Sequence, residues 1–175
     1  MNSTTENPNI VWITLDSVRQ DHTTVGDYQR NTTPNIAQIA NDGGQAFRSC
    51  ISHGMYTLAS SASILSGTYP TRHGVGISGE RLPDSLKTIA ERFNEVGYRT
   101  ACLSRNSYVS EATGLDRGFD KFSWLSASTL LKEAGVKLSL KYLANIRRHS
   151  AGFTTDSAKH STPYVVNEMA TDWLD

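Results

Sequence analysis

The stretch that decides the fold is NIVWITL, residues 9–15, which follows Pro8 and leads directly into Asp16 and Ser17. This apolar run is rich in β-branched residues, a composition typical of a strand that is buried on both faces in a parallel sheet. The pattern therefore predicts a first strand over residues 9–15. Asp16 and Ser17 would then lie beyond the carboxyl end of that strand, where ligands of open parallel sheets bind.

Beyond this strand, local start and stop signals predict an alternation of helices and strands. Thr33 and Pro34 begin one helix, and Gly67 ends another. The predicted elements are helices at 34–41, 57–66, from Pro83 to Gly97, 126–147 with an interruption near Gly135, and 163–174, strands at 46–51 and 98–103, and a polar irregular segment at 149–162. This order predicts an α/β fold with helices on the faces of a sheet.

The composition limits the classes of function. The chain of 175 residues holds 17 basic and 17 acidic side chains, and this balance argues against a general nucleic-acid binder. No apolar run reaches the roughly 20 residues of a membrane span, and residues 1–8 lack the pattern of a signal peptide. We therefore expect a cytoplasmic protein without a transmembrane segment. Cys50 and Cys102 are expected to be reduced, buried thiols, with a single bridge as the alternative.

Asp16 is the first candidate functional residue. A carboxylate at the end of a strand is held on rigid backbone at the edge of the sheet, which suits a metal ligand or a general base. Asp is also a common first residue of a turn, so the same position equally fits a structural role.

Thr57 is the second candidate, because it lies where a loop turns into a helix. A hydroxyl there faces the unpaired N–H groups and the positive end of the helix dipole, and a nearby divalent cation would make it a nucleophile. The alternative is a plain N-cap, with Ser60 or Ser61 closing the first turn. Further along, Arg72 and His73 either meet an oxyanion or lie solvated on a loop.

Five stretches together resemble the N-terminal part of the sulfatase family, within the alkaline phosphatase superfamily. They are PNIVWITLDSVRQDH (8–22), TTPNIAQIANDGGQAF (32–47), SILSGTYPTRHGV (63–75), LPDSLKTIAERFNEVGYRTA (82–101) and GLDRGFD (114–120), in the order and spacing of the family. The resemblance implies an alkaline-phosphatase-like three-layer α/β sandwich with a mostly parallel sheet, present only in part. Residues 1–175 would form the N-terminal part of one catalytic domain, with a polar tail at 1–8 and a helical or irregular insertion at 126–162.

The resemblance also implies roles for individual residues. Asp16 matches the first metal-binding aspartate of the family, whereas Ser17 stands where many sulfatases have a second. Thr57, Ala59 and Ser61 occupy the Cys, Pro and Arg positions of the Cys-x-Pro-x-Arg motif. Because threonine cannot give the formylglycine aldehyde, no formylglycine is expected. Thr57 instead resembles the nucleophilic, metal-bound threonine of superfamily relatives that act on phosphate, such as lipoteichoic acid synthases and phosphoethanolamine transferases.

Two further residues are implied to contact the substrate. Arg105 follows the strand at 98–103, near a lysine that holds the ester in many sulfatases, although a solvated loop arginine is the alternative. His73 matches a His-Gly pair that is common after the motif helix. By contrast, residues 116–120 (DRGFD) are interpreted as a structural turn with an internal ion pair and a buried Phe119.

The implied cofactor is one divalent cation, Ca²⁺, Mg²⁺ or Mn²⁺, held by Asp16 and Thr57. The implied substrate is a sulfate or phosphate ester of a small molecule, a lipid or a glycan. A hard cation takes about six oxygen ligands or more, and the remaining ligands of the family come later in the chain. We therefore expect an incomplete, inactive piece of a sulfatase-like hydrolase or transferase. The alternative is a degenerate, non-catalytic module of the same fold.

The basic stretch 132–149 contains a single acidic residue, Glu133, among its lysines and arginines. Leu131, Leu138 and Tyr142 follow helical spacing beside these charges. The stretch is either a surface helix that binds anionic lipid or the solvated face of a helix packed on the sheet.

Overall fold

The computed structural model describes residues 7–126, 128–144 and 163–174, and the chain divides into two compact units, Met1–Ile51 and Ser52–Asp175. The first unit contains helix α1, Pro34–Asn41. The second contains helices α2 (Thr57–Ser66), α3 (Pro70–His73), α4 (Ile89–Glu95), α5 (Leu130–Ala144) and α6 (Pro163–Leu174), and strands β1 (Ala101–Ser104) and β2 (Lys121–Trp124). The predicted irregular segment 149–162 lies outside the described residues.

Helix α1 confirms the helix that was predicted at 34–41, with Pro34 in its first turn. Two 3₁₀ turns precede it, at Gln20–His22 and Thr24–Gly26. Reciprocal hydrogen bonds tie the second turn to the start of α1: the Thr24 amide donates to Thr33 Oγ1 at 2.9 Å, and the Thr33 amide donates to Thr24 Oγ1 at 3.0 Å. These two bonds hold the second turn against the start of α1.

The two strands predicted for the first unit, at 9–15 and 46–51, are wrong. Both segments are described, and neither is a strand. Ile13 and Phe47 are each 76% exposed. A strand needs a neighbour that accepts its backbone hydrogen bonds and covers its apolar side chains, and in the described part of the chain only β1 and β2 pair as strands.

Strands β1 and β2 run parallel, with Ala101 opposite Lys121 and Ser104 opposite Trp124. β1 confirms the strand predicted near 98–103, whereas β2 was not predicted. Thr100 and Asp120 close the beginning of the pair: the Thr100 amide donates to Asp120 Oδ2 at 2.8 Å, and the Asp120 amide donates to Thr100 Oγ1 at 3.1 Å. The short parallel sheet with helices around it agrees with the predicted fold class.

The second unit has two apolar clusters. The first surrounds α2 and consists of Leu58, Ala62, Val75, Leu82 and Leu115. The second lies between β2, α5 and α6 and consists of Leu125, Tyr142, Val165 and Met169. α2 confirms the predicted helix at 57–66 and ends as predicted at Gly67, which takes a left-handed conformation (φ 65°).

Helix α4 begins at Ile89 and not at Pro83, which corrects the predicted start. Thr88 and Glu91 form a capping box: Thr88 Oγ1 accepts from the Glu91 amide at 3.1 Å, and the Thr88 amide donates to Glu91 Oε2 at 2.6 Å. These reciprocal bonds satisfy the first N–H groups of the helix and fix its beginning.

The ion pair predicted within residues 116–120 forms with a different partner. Arg117 Nη1 donates to Asp84 Oδ1 at 2.9 Å, and Arg117 Nη2 donates to the Leu86 carbonyl at 2.7 Å. Phe119, which was predicted to be buried, is half-buried. Arg117 therefore joins this turn to the segment before α4.

Helices α5 and α6 confirm two sequence predictions. Gly135 interrupts α5 with a non-helical conformation (φ 73°, ψ 169°), and α6 covers the predicted range 163–174. Leu138 and Tyr142 pack on the second cluster, whereas Leu131 is exposed. This packing favours the interpretation of a helix packed on the sheet. Among the helices that the structure describes, none combines the length and apolarity needed to cross a membrane.

Candidate active site

Asp16 lies in the first unit, at an exposed turn directly after the segment 9–15. Ser17 adopts φ 59°, a left-handed conformation that residues other than glycine rarely take. Ser17 Oγ donates to Asp16 Oδ1 at 3.2 Å. The turn predicted by the structural alternative is therefore present, and Asp16 is exposed in it.

Thr57 lies in the second unit and is the first residue of the ten-residue helix α2. The residue in the N-cap position is Tyr56, with extended backbone (φ −148°, ψ 165°) and no side-chain capping bond. The interpretation of Thr57 as the N-cap is therefore wrong. Because the first N–H groups of a helix have no acceptor within it, the half-buried Thr57 stands at an end of α2 that favours anions.

The loop before α2 is tied closely to the first turn of the helix. Ser52 Oγ and Ser60 Oγ both donate to the Gly54 carbonyl, at 3.0 Å and 2.9 Å. A Cβ atom on Gly54 would lie 2.8 Å from the Ala59 Cβ atom, so only glycine fits this approach without a shift. These contacts fix the backbone on both sides of Thr57.

His73 is 2% exposed and packs inside the second unit. Its Nδ1 accepts from the Val75 amide at 3.0 Å, and its Nε2 lies 3.0 Å from Ser63 Oγ. Since Nδ1 accepts a hydrogen bond, we assign the ring proton to Nε2, which then donates to Ser63. Burial lowers the pKa of His73, which favours this neutral form. Both ring nitrogens are engaged within the protein, and this geometry favours a structural role that links α2 to the loop after α3.

Arg105 follows β1 directly and is exposed, as its predicted loop position requires. Burial raises the pKa of Tyr142 on α5, and the positive charge of Arg105 acts in the opposite direction. The guanidinium group therefore lies in the electrostatic range of Tyr142, at the carboxyl end of the parallel strands. This position leaves it accessible to an anionic ligand.

The described residues do not form a complete metal site. Across residues 7–126, 128–144 and 163–174, no three His, Cys, Asp or Glu side chains are grouped as metal ligands. Asp16 and Thr57 offer two oxygens from two different units, and a hard cation takes about six or more. The donor set present therefore does not fit a resident divalent ion without further ligands.

The two cysteines are both free thiols, and they differ in environment. Cys50 is exposed, which corrects the prediction that it is buried. Cys102 on β1 is half-buried, and burial raises its pKa to about 11. Neither lies at the position of Thr57, and Cys102 is uncharged at neutral pH.

A surface cavity beside Thr57 was not predicted from the sequence. Its volume is about 260 Å³, and it is lined by Tyr56, Leu58, Gly76, Ile77, Gly79, Glu80 and Tyr108. The two sequence neighbours of Thr57 both line it. The glycine spacing at 74, 76 and 79 is the one feature of the sequence that hints at such a loop.

Comparison with known proteins decides the family. The family model described as Sulfatase matches residues 8–135, which is most of the chain. The chain belongs to the sulfatase family. Together with the parallel pairing of β1 and β2, this membership confirms the predicted fold class, a partial alkaline-phosphatase-like α/β fold.

Two curated sulfatases are similar to this family member over short parts of their length. An N-acetylglucosamine-6-O-sulfatase of Bacteroides thetaiotaomicron is 31% identical over 126 residues, which cover 70% of this chain and 21% of that protein. An arylsulfatase of Clostridium perfringens is 34% identical over 99 residues, which cover 56% and 20%. The sulfatase chain described here thus spans about a fifth of the length of these relatives. No solved structure matches it significantly.

Proposed function

We propose that this chain carries the nucleophile of a sulfatase-like hydrolase or transferase of sulfate or phosphate esters, and that the nucleophile is Thr57. The observation that carries the proposal is the position of Thr57 at the start of α2. The sequence resemblance to the sulfatase family assigns the nucleophile to this position. The contacts of Gly54 and Ser60 that fix this end of the helix support it.

In the proposed reaction, Thr57 Oγ1 attacks the sulfur or phosphorus atom of the ester. The bond to the alcohol oxygen breaks, the alcohol leaves with the proton that Thr57 gives up, and water or an acceptor alcohol then takes the group from Thr57 and returns a proton to its oxygen. The N–H groups of the first turn and the helix dipole stabilise the negative charge that develops on the equatorial oxygens. Arg105 is proposed to pair with the anionic group of the substrate. His73 matches the family pattern, but both of its ring nitrogens bond within the protein, and its proposed role is to hold α2 in place through Ser63.

A divalent cation is the proposed cofactor, and Asp16 and Thr57 are proposed as two of its oxygen ligands. With further ligands supplied, such an ion would provide Lewis acidity. Because two oxygens do not hold a hard cation, the steps above rest on Thr57 and on the end of α2. We expect calcium or magnesium titrated into the chain to bind more weakly than the roughly micromolar affinity of complete protein sites.

A sulfate ester is the first proposed class of substrate. The names of the two relatives point to sulfate esters of an amino sugar and of aryl alcohols. The threonine nucleophile points to phosphate esters, which are the second class. The proposal includes no formylglycine, since Thr57 stands at the position that would carry it.

The test is turnover of an aryl sulfate and an aryl phosphate by the full chain, with a divalent cation supplied. Without the remaining metal ligands we expect the chain alone to be inactive; turnover by the wild type that Thr57→Ser reduces and Thr57→Ala abolishes would show instead that the chain suffices and that Thr57 is its nucleophile. Thr68→Ala is the matched control, because Thr68 lies just beyond the other end of α2. Turnover that survives Thr57→Ala contradicts the proposal.

A non-catalytic binding module of the same fold is the second candidate. The observation that favours it is the pair of departures at Ser17 and Ser61, where the family resemblance has an aspartate and an arginine. In that case the wild type binds sulfate, and no sulfuryl or phosphoryl group is found on Thr57 after incubation with an aryl sulfate or an aryl phosphate.

A further inference from the structure

We propose that the outer surface of α5 is a docking surface for a membrane of anionic phospholipid. The outer surface consists of the exposed apolar and basic side chains of this helix, namely Leu131, Lys132, Val136, Lys137 and Leu140. Docking on lipid is separate from the ester chemistry and does not rest on the function proposed above.

The part of α5 that follows Gly135 has two different sides. Leu138 and Tyr142, four residues apart, pack on the second apolar cluster. Val136 and Leu140, also four residues apart, are 63% and 61% exposed. Because residues at this spacing lie on the same side of a helix, Val136 and Leu140 form an exposed apolar pair. Packing on the sheet and an apolar outer surface therefore occur together on one helix.

The charges exposed on α5 are positive. Lys132 is 86% exposed, whereas Glu133, whose carboxylate lies 3.9 Å from Lys132 Nζ, is only 20% exposed. Lys137 follows Val136 directly and is also exposed. The whole chain carries 17 basic and 17 acidic side chains, so the excess of positive charge is a local property of this surface. An anionic partner is complementary to it.

A lipid surface fits the apolar and the basic side chains at the same time. Val136 and Leu140 would enter the boundary between the headgroups and the acyl chains. The apolar stems of Lys132 and Lys137 would lie along that boundary, with their ammonium groups at the lipid phosphates. Since none of the described helices meets the requirements of a membrane span, α5 would lie along the surface.

The lysines favour lipid over a protein partner as the occupant of this surface. The centres of protein–protein interfaces are depleted in lysine, because its strongly hydrated charge is costly to bury. Beside anionic headgroups, by contrast, each lysine strengthens binding by roughly fivefold. Leu131, at 60% exposure, adds a third apolar side chain to the same helix. We therefore expect a weak, reversible association that depends on anionic lipid and on salt.

The test is sedimentation of the full chain with vesicles. One set contains phosphatidylcholine alone, and the other adds phosphatidylserine in a roughly two-to-one ratio. We expect binding to the anionic set, at least about tenfold weaker binding to the neutral set, and loss of binding in about 0.5 M salt. Lys132→Gln with Lys137→Gln should weaken binding about ten- to thirtyfold. Val136→Ser with Leu140→Ser should weaken it about five- to tenfold.

Matched controls come from exposed side chains of the same unit outside α5. Lys87→Gln with Arg99→Gln removes the same two charges. Ile77→Ser with Val96→Ser removes two apolar side chains of similar exposure, 69% and 62%. Both control variants should bind like the wild type, and far-ultraviolet circular dichroism checks that all four variants are folded.

Three outcomes would overturn the docking surface: no sedimentation with anionic vesicles, equal binding to both sets of vesicles, or equal weakening by the control variants. Sedimentation velocity without vesicles tests a second copy of the chain as the occupant. A dimer that Val136→Ser with Leu140→Ser dissociates, in a protein that does not bind vesicles, would assign the surface to self-association and refute the proposal.

Discussion

The two units of the chain differ in what they do with their apolar side chains. In the second unit, buried residues such as Leu58, Leu82 and Leu115 form a core around α2. In residues 7–51 no apolar side chain is buried, and Trp12 and Ile13 are exposed. The sulfatase match extends over parts of both units, yet among the described residues only the second unit has a buried apolar core. The surroundings of Thr57 are thus fixed by local packing, whereas those of Asp16 rest on a turn.

The largest expected effect is on the core of the second unit. Leu115→Ala should lower the free energy of unfolding by about 2–5 kcal/mol, because Leu115 is fully buried and its truncation leaves a cavity. The matched change in the first unit, Ile13→Ala, removes an exposed side chain and should shift it by less than about 0.5 kcal/mol. Urea denaturation measures the free energy of unfolding of both variants. Equal losses in the two variants would contradict the proposed difference between the units.

The next effect compares two arginines. Arg117 is largely buried and donates to the Leu86 carbonyl and to Asp84, so Arg117→Met should cost about 1–3 kcal/mol by leaving the carbonyl without its partner. Arg48 pairs with Asp27 on an exposed surface of the first unit, and Arg48→Met should cost less than about 1 kcal/mol. Urea denaturation measures both losses of stability. A larger loss for Arg48→Met than for Arg117→Met would contradict the prediction.

A smaller effect separates the two cysteines. At pH 8, iodoacetamide should modify the exposed Cys50 much faster than the half-buried Cys102. The pKa of Cys102 is raised by burial from 9.0 to about 11, so its contribution to stability is complete below pH 9 and is lost as the pH rises through 11. Cys102→Ala should remove that part of the alkaline dependence. Equal alkylation rates for the two thiols would contradict the assigned burial.

The smallest effect lies in the first unit, at Asp21. Hydrogen bonds from Arg19 and His22 lower the pKa of its carboxyl group to about 2. Because the folded value lies below the ordinary value of 3.8, the associated stability is present above pH 3.8 and is lost as the pH falls through 2. NMR titration of the carboxyl carbon should show this pKa, and Arg19→Ala should raise it toward the ordinary value. An unchanged pKa in Arg19→Ala would exclude the assigned cause.

The sequence predicted those elements that local signals determine. Pro34 and Gly67 mark helix boundaries through their own backbone preferences, and α1 and α2 follow them. The capping box of Thr88 and Glu91 was equally readable and would have given the correct start of α4. The strands at 9–15 and 46–51 failed because strand formation depends on a neighbour, which composition does not supply.

The features of the candidate site also separate into those that local sequence determines and those that depend on distant segments. Thr57 was expected at the start of a helix and lies there, because the beginning of α2 is a local property. The burial of His73 and the cavity between Tyr56 and Tyr108 depend on distant segments that fold together, and a pattern of neighbouring residues does not reveal them. The role of Asp16 stays a prediction for the same reason.

The most direct test of the central claim is mass spectrometry of the peptide that contains Thr57. The full chain is incubated with an aryl sulfate or an aryl phosphate and a divalent cation, quenched in acid and digested. The account predicts a sulfuryl or phosphoryl group on Thr57, and no such group on the corresponding peptide of Thr57→Ala. An unmodified Thr57 during turnover, or the group on Ser52 or Ser60 instead, would contradict it.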